Sequence, residues 1–100
     1  LQQPSLNQPV TGSLEHTVCA KVTTKFLEWA KIAGNDLITP HPELNFPGLK
    51  EGDCWCVCAE SYAQSIEAGT ACKIFLKKTN YKTLEIIPLK KLKNYALDLS

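Results

Sequence analysis

Cys19, Cys54, Cys56, Cys58 and Cys72, together with His16, are the residues of this 100-residue chain whose types could do more than pack. Cys54, Cys56 and Cys58 alternate with Trp55 and Val57, so an extended segment carries three thiols on one face. Three thiols on a face suggest a metal site, and two suggest redox chemistry. Extended geometry restricts both. Alternate α-carbons lie ~6.6 Å apart on a strand and the 54–58 span is ~13 Å. Tetrahedral zinc, with bonds of ~2.3 Å, needs sulfurs under ~4 Å apart. Two thiols could lean together and three could not, and the metal alternative is the pair Cys56 and Cys58. A disulfide between alternate residues sits near the ~6.8 Å limit for α-carbon separation and is strained. The favoured reading is that these thiols are buried and fill volume, as cysteine commonly does. A thiol-dependent redox or metal-binding role centred on Cys19, Cys56 and Cys58 is the alternative.

His16 and Cys19 have the types of a base and a nucleophile, with Asn35 or Asp36 available to orient the imidazole. Positions three apart on a strand face opposite sides, so the pair meets only if the chain bends at Thr17. Otherwise His16 bonds a loop backbone and Cys19 packs beside Cys56. An odd number of cysteines cannot pair completely within one molecule, and reduced thiols in a cytoplasmic protein are the simplest account.

Composition bounds the remaining classes. Apolar types at 44% and charged types at 21% describe one ordinary domain of this length. No apolar run approaches the ~20 residues of a membrane span. Leu1 to Gly12 is polar and has neither the basic start nor the apolar centre of a signal peptide. The absence of methionine leads us to expect that the natural start lies upstream of Leu1. Residues 1 to 72 carry four lysines against eight acids, whereas 73 to 100 carry seven lysines against two. There is no arginine to fork onto phosphate or guanine, and the aromatics do not interleave with the lysines. Both features argue against a nucleic-acid partner, and the lysines read as a solvated face.

The elements that must position these residues follow from periodicity. Residues 1–14, with Pro4, Pro9 and Gly12, read as a flexible N-terminal arm, and 15–100 as a single globular domain. His16 to Val22 reads as a strand with Val18 and Ala20 on one face. A helix capped by Thr23 or Thr24, with Val22 and Leu27 placed as a staple, runs to Gly34. Asn35 to Gly52 contains three prolines and two glycines and is a long loop, with Leu37, Ile38, Leu44, Phe46 and Leu49 as apolar anchors that order it. Asp53 to Ala59 is apolar on both faces and reads as a strand in the middle of a sheet. Ser61 to Ala68 reads as a helix closed by Gly69, 71–77 and 83–87 as strands, and a last helix follows Pro88 with its apolar stripe running to Leu99. The expected fold is α/β (α+β): a two-layer sandwich with a small mixed sheet of about four strands, three helices and one long ordered loop.

At this point the order and identity of several blocks resemble a known family. Gly34-Asn35-Asp36-Leu37, Thr39-Pro40, Pro42-Glu43, Phe46 to Lys50, Gly52-Asp53 and Trp55-Cys56-x-Cys58-Ala59 stand in register with His16-Thr17-Val18-Cys19-Ala20 and Glu67-Ala68-Gly69. Together, over roughly His16 to Ala96, they resemble the small, mostly bacterial proteins catalogued as domain of unknown function 2237. The resemblance implies an α/β fold and a cytosolic bacterial setting, and it carries no activity. Members often have a Cys-Cys pair shortly before the His-Thr-Val-Cys segment, and Leu1 to Glu15 has none.

The functional expectation is therefore a non-enzymatic binding or interaction module that uses the 35–52 loop, without a cofactor. Asn35, Asp36, Thr39, Glu43 and Asp53 would line a groove beside Trp55 for an unidentified protein or small molecule. The competing reading is that Asn35 and Asp36 satisfy helix-end and turn backbone groups, and that Trp29 and Trp55 belong to the core.

Overall fold

The computed structural model describes residues 17 to 98. Its ordered elements are β1 (Val18–Lys21), α1 (Thr24–Ile32), β2 (Cys54–Val57), α2 (Ala59–Glu67), β3 (Lys73–Ile74) and α3 (Leu89–Lys93). Short 3-10 turns cover Pro42–Leu44, Leu76–Lys78 and Tyr81–Glu85. The arm expected over 1–14, and His16, lie outside the described residues.

The α1 helix forms where its capping chemistry says it should. Thr23 is extended and its hydroxyl accepts from the Phe26 N–H. Val22 and Leu27, one before the cap and one in the first turn, are both buried. At the other end Gly34 takes φ 101°, the Gly34 N–H donates to Lys31 and the Asn35 N–H to Ala30, which closes the last turn.

The sheet has three strands in the order β2-β1-β3, with β1 antiparallel to both neighbours. Four strands were expected, and two local reasons account for the difference. Thr83 and Ile87 are buried while Leu84 and Ile86 are exposed, a helical rather than an alternating pattern. Asn80 donates its backbone N–H to Thr17, its side chain caps the Lys82 N–H, and the Thr83 hydroxyl donates to that of Thr17. The segment read as a strand over 83–87 is thereby wound into a 3-10 turn. In the 71–77 segment only Lys73–Ile74 is extended, because the Asp98 carboxylate accepts the N–H groups of Leu76 and Lys77 and turns the chain. The last helix stops at Lys93, since Tyr95 and Leu97 return to hydrogen-bond both sides of Ile74 and leave one parallel bridge from Ile74 to Ala96.

The core lies on one face of this sheet. Val18, Ala20, Val57 and Ile74 meet Phe26 and Leu27 of α1, Tyr62 of α2 and Leu92 of α3. The opposite face carries Cys19, Lys21, Cys54, Cys56 and Lys73, and among the described residues no helix covers it. The strand expected in mid-sheet is thus an edge strand with one open face. Cys54 and Cys56, expected to be buried, are exposed.

Candidate functional site

The long loop was expected to be ordered, and its polar side chains explain how. The Asp36 carboxylate accepts the N–H groups of Ile38 and Thr39 and the Thr39 hydroxyl. These bonds, the Thr39 hydroxyl first among them, hold its pKa down at about 2. Asp53 accepts the Lys50 N–H, and Glu51 accepts the Thr24 N–H at the start of α1. Gly48 has φ 82°, and a β-carbon there would lie 2.2 Å from the Ile38 carbonyl oxygen, so only glycine lets the two arms of the loop approach.

The tip is closed by reciprocal N–H to carbonyl bonds between His41 and Phe46, with Asn45 in the left-handed region at φ 56°. Phe46 packs between two rings, 6.3 Å from His41 and 5.5 Å from Trp55, measured between centroids. Trp55 packs on the core from the inner face of β2. Leu44 stands 49% exposed at the apex, beside Glu43, whose carboxylate lies 3.3 Å from His41 Nδ1.

The polar residues proposed from sequence are therefore not brought together as one ligand set. Asp36 and Asp53 are occupied by the loop's own backbone, the Thr39 hydroxyl donates to the Asp36 carboxylate, and Glu43 pairs with His41. Asn35 contributes its backbone to the end of α1. A cleft of about 210 Å³ is present elsewhere, lined by Ala63, Ile66, Ile86, Ile87, Pro88 and Lys91. No sequence signal marked it, because its walls come from α2 and a turn read as a strand.

The thiols divide into separate environments. Cys58 has left the strand and caps α2, its sulfur accepting the Ser61 N–H. Cys72 is buried, which pushes its thiol up to about 12. The alternative reading of Cys56 and Cys58 as metal ligands is not favoured by this arrangement, since Cys58 caps α2, and no cluster of three or more Cys, His, Asp or Glu suited to a metal is found among the described residues. Cys19 and Cys56 face each other directly across β1 and β2 on the open face, as the packing reading of Cys19 anticipated. All five thiols are free. The proposed partner of Cys19 as a base, His16, lies outside the described residues.

No described helix is long and apolar enough to cross a membrane. A family model described as an uncharacterized protein conserved in bacteria, DUF2237, matches residues 7–96. No curated protein matches the chain.

Proposed function

The chain belongs to this uncharacterised bacterial family, DUF2237, and from that premise we propose that it is a non-enzymatic interaction module whose contact surface is the tip of the 35–52 loop. One observation carries the reading: Leu44 is exposed at the apex of a turn held by backbone bonds, by ring packing and by Asp36. A preformed loop loses little conformational freedom when it binds, so a small apolar anchor suffices. Leu44 is that anchor, and Glu43 favours a partner with a basic or N–H-rich rim around an apolar pocket. The polar residues Asp36, Thr39 and Asp53 serve the site by shaping the loop, and Trp55 by supporting Phe46. The partner is a protein in the bacterial cytoplasm, whose reducing milieu suits a chain with five free thiols.

The test places a photo-crosslinking amino acid at position 44 and, separately, at position 93 on α3, with the protein expressed in a bacterium. A discrete adduct specific to position 44, and lost when Glu43→Lys is added, supports the reading. Identical adducts from both positions, or none from 44, overturn it.

A further inference from the structure

Cys19 and Cys56 occupy directly opposed positions on the open face of the sheet. The kind of rung they share follows from where the Cys19 backbone points. Its N–H donates to the Thr79 hydroxyl and its carbonyl accepts the Phe75 N–H, so both groups face β3 and neither faces β2. The Cys19–Cys56 rung is therefore a non-hydrogen-bonded antiparallel pair. In such pairs the α-carbons approach to ~4.5 Å and the side chains are at their closest, within the ~4.4–6.8 Å window that a disulfide spans. Burial first, and the neighbouring Cys56 thiol next, raise the pKa of Cys19. Cys56 is exposed and Cys19 half-buried.

The other thiols do not compete on these terms. Cys54 is on the same face but stands opposite Lys21, two residues along the strand from Cys56. Cys58 is engaged in capping α2, and Cys72 is in the core.

We propose that Cys19 and Cys56 form a two-electron redox pair that takes a hydroperoxide as oxidant and closes to a cross-strand disulfide. The exposed Cys56 thiolate attacks the terminal peroxide oxygen. The O–O bond breaks, the alcohol or water leaves with a proton, and Cys56 becomes a sulfenic acid. The Cys19 sulfur then attacks the Cys56 sulfur, the S–O bond breaks, and the hydroxide released takes the Cys19 proton to leave as water. In sum, two thiols and one hydroperoxide give one disulfide, one alcohol or water, and one further water. A small-molecule dithiol reverses the reaction by exchange. Both strands already stand in the required register, so closure needs a side-chain rotation and no change of fold. This site is distinct from the loop tip, and its failure or success leaves the loop reading untouched.

The experiment treats the full chain with one equivalent of hydrogen peroxide, blocks remaining thiols with an alkylating reagent, and maps the products by mass spectrometry. The expected product is a monomer that has lost two hydrogens, carries three alkyl groups and contains a Cys19–Cys56 crosslinked peptide. Cys54→Ser should form it at the wild-type rate. Cys19→Ser should form no intramolecular disulfide and should let a sulfenic-acid probe trap Cys56. The proposal is overturned if the crosslink maps to Cys54 and Cys56, if the disulfides are intermolecular, or if peroxide leaves five alkylatable thiols. It is also overturned if Cys19→Ser closes as readily as the wild type.

Discussion

Two thiols in this protein have the same intrinsic chemistry and opposite surroundings. Cys72 lies in the core and burial pushes its pKa to about 12, so at neutral pH it is a small apolar group. Cys56 stands on the open sheet face. A disulfide reagent applied to native protein should therefore modify Cys54 and Cys56 promptly and reach Cys58 and Cys72 only after unfolding. Equal reactivity of all five in native protein would show that the sheet face is not the exposed one. Asp36 supplies the matching prediction for the loop. Its folded pKa, about 2, lies below the ordinary carboxylate value, so the ionised form is the one the fold favours. Its stabilising effect is complete above the unfolded pKa of ~4 and fades as pH falls through about 2. Asp36→Asn should flatten that part of the acid-unfolding curve, measured by Trp fluorescence, and leave stability above pH ~5 independent of pH at this site.

Elements were legible in the sequence where a local chemical signal defined both ends. Thr23, the Val22–Leu27 pair and Gly34 bound α1 completely, and Gly69 with φ 74° ends α2 as its position implied. The start of α2 was read two residues late because Cys58, not a hydroxyl or carboxylate, is its cap. Strands failed where a run of β-branched and apolar types is pulled into a turn by distant partners. Thr17 and Asn80 do this to 81–85, and Asp98 does it to 76–78. No local pattern reports those contacts. For the candidate site, alternation correctly put Cys54 and Cys56 on one face. Their exposure depended on β2 being an edge strand, which is a fact of pairing order. The loop separates two glycine effects that look alike in sequence. Gly34 has φ 101° and open space, so Gly34→Ala should cost about 1 kcal/mol, the left-handed penalty alone. Gly48→Ala must also displace the Ile38 carbonyl and should cost at least ~2 kcal/mol more. Urea midpoints of the two variants decide the order, and an equal loss would mean that the arms of the loop separate freely.

At the scale of the molecule, β1 is the centre of the sheet, yet both of its partners come from far along the chain, and β3 contributes only two residues. A strand that short does not persist on its own. What fixes it is the segment after α3. Ile74 donates to the Tyr95 carbonyl and accepts the Leu97 N–H, while Asp98 holds the turn that follows. Tyr95 meets the ring of Tyr62 edge-on, with centroids 6.1 Å apart, and Tyr62 in turn donates to the Cys72 carbonyl. Each of the two Ile74 bonds contributes ~0.5–1.5 kcal/mol, and the ring pair adds ~0.5–1.5 kcal/mol beyond its burial. Against the ~5–15 kcal/mol that holds a domain of this size folded, shortening the chain after Lys93 should remove a large part of the stability. The loss should appear as a lower urea midpoint together with a Cys72 thiol that reacts without denaturant, because the wall over it has gone. Tyr95→Phe keeps the ring and the backbone bonds and should remain close to the full chain. If the shortened chain instead unfolds at the same midpoint with Cys72 still protected, β3 is held by β1 alone and the closing segment is an ornament of the fold.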